Sequence, residues 1–324
     1  MGHLNTSSVT EFVLIGLPHP EVMKIPLFVL FTFIYVCTLL GNVLLILAVQ
    51  RDPVLHKPMY FFLLNLSFLD IWLSTVTLPK MLTNFLQRET TISFQGCISQ
   101  FYFFHFFGST ECFLYTVMAY DRFLAICRPL HYPNFMNLKL CKQFAAGIWM
   151  TGSLHSMIHT TLTFRLPFCG PNRIDYFFCD VIPMLKLACA DTTLNKAIII
   201  TNIGAVALIC FLLILISYVH IISTILRIKS SEGRRKTFST CASHMITVSI
   251  FYGPPVFIYM GPNSMDYVME ESIAIFYTLI TPMLNPIIYS LRNQEVKTSL
   301  KRQLRRVDLP YFITVNIRIY KNAH

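Results

Sequence analysis

The sequence predicts an all-α membrane protein, a bundle of seven transmembrane helices, and three observations carry this prediction. Of 324 residues, 54% are hydrophobic and only 13% are charged, whereas a soluble globular chain carries roughly 25% charged residues. Mean hydropathy is +0.57. Seven intervals of about 20 residues or more are nearly free of Asp, Glu, Lys and Arg, which are costly inside a bilayer. The 28 Phe and 15 Tyr exclude a disordered chain.

The charge-free intervals give the predicted helices in chain order. At a rise of about 1.5 Å per residue, 20 helical residues cross a hydrocarbon core about 30 Å thick. A soluble helical core would need a polar face on each helix, and these intervals have almost none. The predicted seven-transmembrane domain, 25–291, therefore contains helices at about 25–50, 58–79, 90–122, 143–164, 197–226, 237–262 and 272–291.

The positions of the basic residues predict the orientation. The chain has 26 Lys and Arg against 16 Asp and Glu, an excess that by itself suggests nucleic-acid binding. Eighteen of the 26 lie in segments that share one side with the C-terminus, and seven lie on the opposite side. Because Lys and Arg accumulate in cytoplasmic loops, the N-terminus is predicted outside and the C-terminus inside. Topology explains the basic excess, so no nucleic-acid partner is expected.

The two terminal segments follow from this topology. Residues 1–24 form an extracellular N-terminus, in which Asn5-Thr6-Ser7 is a glycosylation sequon. Residues 292–324 form a cytoplasmic tail that begins with a short amphipathic helix on the membrane surface. The tail after Arg306 matches no pattern that suggests a role.

Two acidic residues lie at membrane depth, Asp70 in the second helix and Glu111 in the third. An ionisable side chain there needs a partner that offsets its desolvation, which makes it a candidate functional site. Two close carboxylates ionise together only when a cation lies between them. The alternative is a pair of neutral acids hydrogen-bonded to Asn42, Ser67 or Asn285, and the residues alone favour neither arrangement.

Charges and prolines near the inner ends suggest moving parts. Asp121-Arg122, at the inner end of helix three, can pair locally, or Arg122 can reach another helix, which makes a natural two-state element. Proline removes a backbone hydrogen bond inside a helix. Pro254-Pro255 is therefore expected to break helix six, and Pro282 with Pro286 to break helix seven.

Four of the ten cysteines fall on the predicted outer side, where disulfides form. Four cysteines permit three pairings, and their spacing does not select one. These cysteines are Cys97, Cys169, Cys179 and Cys189.

Several motifs, read in order, resemble one family. They are Gly41-Asn42, Leu55-His56-Lys57-Pro58-Met59-Tyr60-Phe61-Phe62, Leu66-Ser67-Phe68-Leu69-Asp70, Met118-Ala119-Tyr120-Asp121-Arg122, Ser217-Tyr218, Lys236-Thr237-Phe238-Ser239-Thr240-Cys241-Ala242-Ser243-His244 and Pro282-Met283-Leu284-Asn285-Pro286-Ile287-Ile288-Tyr289. Together they resemble the odorant (olfactory) receptors of class II, the tetrapod type, within the rhodopsin-like G-protein-coupled receptors.

The resemblance implies a plasma-membrane receptor, not an enzyme, that responds to volatile odorants and activates a stimulatory G protein of the olfactory type, which raises cyclic AMP. It implies disulfides Cys97–Cys179 and Cys169–Cys189. It also implies that Asp70 and Glu111 correspond to the family's sodium site. No other cofactor is expected. The implied activation switch and G-protein-coupling residues are Asp121, Arg122, Tyr218, His244, Asn285, Pro286 and Tyr289.

In this architecture a ligand pocket lies in the outer half of the bundle, and helical spacing nominates its wall. The nominated residues are Phe104, His105, Gly108, Ser109, Cys112, Asn202, Val206, Tyr252, Val256, Tyr259, Ala274 and Thr278. The wall is aromatic and aliphatic without Lys or Arg, which predicts a small, neutral, largely apolar ligand. We expect neither catalytic residues nor a transition-metal site.

Two other functional classes are disfavoured by the sequence. A seven-helix transporter or channel is expected to show internal repeats and polar residues along a continuous path, and neither pattern is evident. An intramembrane enzyme needs a catalytic constellation such as paired aspartates or His-Glu-x-x-His, which the sequence lacks.

Overall fold

The computed structural model describes residues 9–16, 19–87, 90–260 and 267–303, which form a helical bundle. Two short helices, Tyr132–Phe135 and Val181–Leu187, are connections between longer ones. One long segment consists of the helix Tyr267–Ile275, a π-helical turn Phe276–Ile280 and the helix Thr281–Arg292. Seven long helical segments thus lie in the described ranges. The helices are α1 (Lys24–Arg51), α2 (Pro58–Leu86), α3 (Phe94–Cys127), α4 (Tyr132–Phe135), α5 (Leu138–Phe164), α6 (Val181–Leu187), α7 (Thr193–Leu226), α8 (Ser231–Met260), α9 (Tyr267–Ile275) and α10 (Thr281–Arg292).

Four segments are both long and apolar enough to cross a membrane: Glu21–Arg51, Pro58–Leu86, Thr193–Leu226 and Glu271–Ser290. The other three long helices, α3, α5 and α8, have 34, 27 and 30 residues, so their length also suffices. They carry more polar side chains than the four. Several helices extend past the predicted intervals, because those intervals stop at a charged residue and the helices do not. Helix α2, for example, continues through Lys80 to Leu86.

Helix α3 is the centre of the bundle. It packs against α2, α5, α7 and α8, while α1 packs on α2 and α10, and α10 packs on α8, which closes the ring. The approach of α3 to α5 depends on a missing side chain, because a Cβ on Gly152 would overlap the Thr110 side chain. Trp149 Nε1 donates to Asn65 Oδ1 at 3.0 Å, which links α5 to α2.

Prolines shape the last two long segments differently from the prediction. The expected break at Pro254-Pro255 is wrong, because α8 is helical through both residues to Met260. In the last segment, the irregularity lies just before Pro282, at the π-helical turn. Pro282 has no N–H to donate to the Thr278 carbonyl, which disfavours regular α-helical bonding in that turn.

The second proline of that segment explains the Gly41-Asn42 motif. Pro286 cannot donate to the Pro282 carbonyl four residues earlier, and Asn42 Nδ2 donates to that carbonyl instead, at 3.0 Å. A Cβ on Gly41 would lie 3.1 Å from Pro286 Cγ, so glycine permits this close approach of α1 and α10.

One end of the bundle, predicted to be extracellular and called the outer end, carries a small β-sheet. Strand β1 (Glu11–Leu14) pairs antiparallel with β2 (Thr91–Ser93) and parallel with β3 (Arg173–Ile174). Residues 91–93 were predicted as helix and are instead strand. Two disulfides secure the same end: Cys97–Cys179 and Cys169–Cys189, with Cα separations of 5.6 and 5.8 Å.

At the opposite, inner end, residues 294–303 are helical and dock on the bundle. Val296 is buried, Lys57 Nζ lies 2.8 Å from Glu295 Oε2, and Arg302 Nη1 lies 3.2 Å from Asp52 Oδ2. The predicted glycan acceptor Asn5 and the tail beyond Gln303 lie outside the described residues.

Candidate functional site

An outer cavity opens among α2, α3, α5, α7, α8 and the seventh segment. Its volume is about 160 Å³, which suits a small organic ligand. The described side chains around it include no Lys or Arg, and most are aromatic or aliphatic. They are Leu73, Phe104, His105, Gly108, Ser109, Glu111, Cys112, His155, Asp180, Ile203, Val206, Ala207, Phe251, Tyr252, Tyr277, Thr281 and Pro282.

Seven of the twelve nominated pocket residues line this cavity: Phe104, His105, Gly108, Ser109, Cys112, Val206 and Tyr252. The side chains of Val256 and Tyr259 lie outside the described residues. Asn202 does not line the cavity but lies beside His155 and His159.

The nominated face of helix seven does not face the cavity. Ala274 and Thr278 are buried, with Thr278 Oγ1 donating to the Ala274 carbonyl at 2.6 Å, and Tyr277 and Thr281 line the cavity instead. Tyr277 and Thr281 are also four residues apart, so helical spacing by itself does not distinguish the two faces of this segment. The nominated set also lacks the polar residues His155, on α5, and Asp180, which precedes α6.

Polar side chains gather at one side of the cavity. His105 Nε2 lies 3.2 Å from Asp180 Oδ1. That oxygen also accepts from the Val181 N–H at 2.7 Å, so Asp180 caps α6 while facing α3. Ser109 Oγ and His155 Nδ1 are 2.8 Å apart, and His155 Nε2 lies 3.1 Å from His159 Nε2. The site therefore combines a broad apolar wall with a compact polar side.

On the α8 side of the cavity, α3 contacts α8. The Tyr252 hydroxyl lies 2.9 Å from Cys112 Sγ, and its ring packs against Phe211 and Phe251 with centroid distances of 5.5 and 5.0 Å. A ligand that displaces Tyr252 would therefore move α8 relative to α3.

Asp70 and Glu111 belong to one buried network. Asn285 Nδ2 donates to both Asp70 oxygens, at 3.0 and 3.2 Å, and lies 3.2 Å from the Tyr115 hydroxyl. Tyr115 in turn donates to Glu111 Oε1 at 3.0 Å. The predicted neutral-acid partner Asn285 is thus present in this geometry.

The same network fits a small hard cation as well. Asn285 Oδ1 is buried and accepts no hydrogen bond within the described part of the chain, and it accompanies two carboxyl groups. Oxygen atoms of this kind are the donors that hard cations prefer. Among the described residues, no three His, Cys, Asp or Glu side chains are arranged to hold a metal ion.

The inner end of α3 carries a closed charge pair. Arg122 Nη2 and Nε donate to Asp121 Oδ2 at 2.7 and 3.1 Å, and the Tyr132 hydroxyl donates to Asp121 Oδ1 at 2.8 Å. Burial, followed by the nearby Asp121 charge and hydrogen bond, raises the pKa of Tyr132 above its ordinary value, so the hydroxyl keeps its proton.

A second cavity opens beside this pair at the inner end. Its lining includes Arg122, Asp121, His244 and Tyr289. His244 Nδ1 lies 2.8 Å from the Tyr218 hydroxyl, which joins α8 to α7, and the Tyr289 hydroxyl lies 3.0 Å from Thr247 Oγ1, which joins α10 to α8. Four of the predicted switch residues, Asp121, Arg122, His244 and Tyr289, therefore line one cavity, and Tyr218 contacts His244. Asn285 lies instead in the network with Asp70, and Pro286 lies against Gly41.

Comparison with known proteins shows the family to which this chain belongs. The sequence profile described as olfactory receptor matches residues 31–306. The chain is 55% identical to human Olfactory receptor 10G7 over 297 residues, covering 91% of this chain and 95% of the relative. It is 54% identical to human Olfactory receptor 10G4, covering 94% and 98%, and 51% identical to mouse Olfactory receptor 4E2, covering 94% and 99%. The chain therefore belongs to the olfactory receptor family, as a multi-pass membrane G-protein-coupled receptor and not an enzyme.

Proposed function

We propose that this receptor binds small, neutral, largely apolar odorants in the outer cavity and activates a stimulatory G protein of the olfactory type, which raises cyclic AMP. The observation that carries the proposal is the pairing of an apolar outer cavity with an inner cavity beside Arg122, on the same central helix. A ligand changes the inner end only through a difference in affinity between two receptor states.

The chemistry of the outer cavity supports the ligand class. Burying a charged ligand needs a compensating charge, and the described lining offers no Lys or Arg for an anion. Both carboxyl groups of the described lining are already engaged, Asp180 by His105 and the α6 backbone and Glu111 by Tyr115, which leaves them poorly placed to hold a cationic ligand. A neutral ligand gains from burial against Phe104, Val206 and Tyr252.

The route from ligand to G protein runs through α3 and α8. Contact with Tyr252 would bias the position of α8, whose inner half carries His244 and Thr247. In the active state Arg122 leaves Asp121, the inner end of α8 moves outward, and the inner cavity widens for the G protein. Asp121, Tyr218, His244, Asn285, Pro286 and Tyr289 are the remaining members of this proposed switch.

The proposed setting is the plasma membrane, with seven spans, the N-terminus outside and the 292–324 tail inside. The basic-residue distribution supports this orientation, and we expect the helix at 294–303 to lie along the inner membrane surface. Asn5 would then carry a glycan. A sodium ion held by Asp70 and Glu111 would stabilise the state in which Asn285 bridges to Tyr115.

The test is a cyclic AMP assay in cells that express the receptor with the olfactory-type G protein and receive an odorant panel. Arg122→Ala should abolish the odorant response at unchanged surface level, since the switch loses its cation. Arg128→Ala, which changes an exposed arginine six residues further along, is the matched control and should respond normally. An intact response in Arg122→Ala would contradict the proposal, as would odorant-independent flux of a solute, which indicates a transporter.

A further inference from the structure

Ser109, His155 and His159 form a chain of hydrogen bonds that ends at the outer cavity, and the donors in this chain can run in one of two directions. Ser109 and His155 both line the cavity, and behind them His159 is fully buried. Ser109 Oγ lies 2.8 Å from His155 Nδ1, and the two imidazoles approach through their Nε2 atoms at 3.1 Å. Because a neutral imidazole has one N–H and one bare nitrogen, the protons in such a chain must all point the same way.

Two proton arrangements satisfy both bonds. In the first, His159 Nε2–H donates to His155 Nε2, and His155 Nδ1–H donates to Ser109 Oγ. In the second, every donor is reversed: Ser109 donates to His155, His155 donates to His159, and the remaining proton of His159 is on Nδ1.

The buried end of the chain selects the first arrangement. His159 Nδ1 has no hydrogen-bond partner within the described residues. Asn202 interacts with both rings, but no described atom lies in hydrogen-bond geometry with His159 Nδ1 itself. A buried N–H without an acceptor is rarer and more costly than a bare acceptor, so Nδ1 is the unprotonated nitrogen.

The direction of the chain decides which hydrogen-bonding group Ser109 presents to the cavity. In the first arrangement Ser109 Oγ accepts from His155, which leaves the Ser109 O–H free to donate into the cavity. Successive hydrogen bonds polarise one another, which strengthens this terminal donor. In the reversed arrangement the same serine would offer the cavity only an acceptor.

We propose that Ser109, oriented by His155 and His159, selects odorants that carry a hydrogen-bond acceptor such as a carbonyl or ether oxygen on an otherwise apolar body. This inference rests on the proposed odorant-binding function of the same cavity. Ser109 contacts the ligand, whereas His159 is a positioning residue that fixes the direction of the chain.

The test uses pairs of odorants that share a shape and differ in the acceptor. The probes are acetophenone against α-methylstyrene, benzaldehyde against styrene, and anisole against ethylbenzene, with 1-phenylethanol as a compound that adds a donor. In the full-length receptor the oxygen-bearing member of each pair should act at roughly tenfold lower concentration, as expected for one buried hydrogen bond. Ser109→Ala should remove this preference and leave the hydrocarbon potencies unchanged.

A second variant tests the direction of the chain. His159→Phe should reduce the acceptor preference, because His155 loses the donor that fixes its tautomer. Thr160→Val is the matched control on the same helix; its hydroxyl bonds to the Ser156 carbonyl, and the preference should persist.

Three outcomes overturn the inference. They are equal potencies within the pairs in the unchanged receptor, a preference that survives Ser109→Ala, and a gain confined to 1-phenylethanol, which indicates the reversed chain. In each of these cases odorants still raise cyclic AMP, so the proposed function stands. If no compound acts on receptors shown to be at the surface, the proposed function fails together with the inference.

Discussion

The two ends of the central helix α3 are held by different kinds of bond. At the outer end, a disulfide joins Cys97 to Cys179, and three strands close over the bundle. At the inner end, Asp121 is held by Arg122 and Tyr132 through hydrogen bonds of 2.7–3.1 Å. Covalent and sheet bonds keep the outer end in one shape, whereas hydrogen-bonded side chains can exchange one partner for another. The difference agrees with the proposed function, in which the ligand binds at the covalently held end and the inner end rearranges.

Breaking the covalent end should have the largest effect. Cys97→Ser opens a link between residues 82 apart, for which loop-closure entropy predicts a loss of about 4 kcal/mol. That loss is comparable with the whole stability of many domains, so we expect receptor at the cell surface to fall to background in a labelling assay. Cys37→Ser, at a free cysteine in α1, is the control and should keep normal surface expression. Normal surface labelling of Cys97→Ser would show that the sheet and the Cys169–Cys189 disulfide suffice to hold the outer end.

Disturbing the middle of α3 should have an intermediate effect on both ends. Gly152→Ala places a methyl group against Thr110 and forces α5 away from α3, at a cost of roughly 1–3 kcal/mol. The melting temperature of the purified receptor should fall. Gly147→Ala, on the same helix with open space around its Cα, should melt like the unchanged receptor or slightly higher. Equal melting temperatures for the two variants would mean that α3 and α5 are not closely packed at this point.

Loosening the inner end should have the smallest effect on stability and a visible one on signalling. Tyr132→Phe removes one hydrogen bond to Asp121, about 1 kcal/mol, which corresponds to a roughly fivefold shift between states. Basal cyclic AMP should rise with no change in surface level. Tyr120→Phe, at a tyrosine 40% exposed on α3 next to Asp121, is the control and should leave basal signalling unchanged.

The pH dependence of this contact follows from the direction of the Tyr132 pKa. Because the Tyr132 pKa is raised in the folded protein, the hydroxyl is still protonated at about pH 10, the ordinary pKa of tyrosine. Its hydrogen bond to Asp121 therefore contributes to stability up to that pH and is lost only above it. Basal signalling of the unchanged receptor should therefore show no contribution from Tyr132 titration between pH 6 and 9. A rise across that range that Tyr132→Phe abolishes would contradict the raised pKa.

Much of the bundle follows from the sequence. The charge-free intervals locate each long helix, because the bilayer penalises charge wherever it occurs along the chain. The motifs around Asp121, His244 and Asn285 identify the family. Seven of the twelve nominated pocket residues line the cavity, since a regular helix repeats its face every three or four residues.

Other features depend on contacts between distant segments, and helical spacing could not find them. On the seventh segment Tyr277 and Thr281 line the cavity, whereas Ala274 and Thr278 do not, although both pairs are four residues apart. Which pair faces the cavity depends on how the segment packs in the bundle. The β-sheet at the outer end pairs β1 with β2 and β3, which lie far away in the chain, and short strands give little periodic signal.

The sequence by itself determined the helices, the distribution of charge across the two sides and the family, because each depends on local composition or on residues read in order. Only the tertiary structure decided how Asn42 replaces the hydrogen bond that Pro286 cannot make, and that His159, His155 and Ser109 lie within hydrogen-bonding distance of one another. The physical reason is that a hydrogen bond depends on distances within about 3.5 Å between helices, and residues far apart in sequence reach those distances only when the bundle closes.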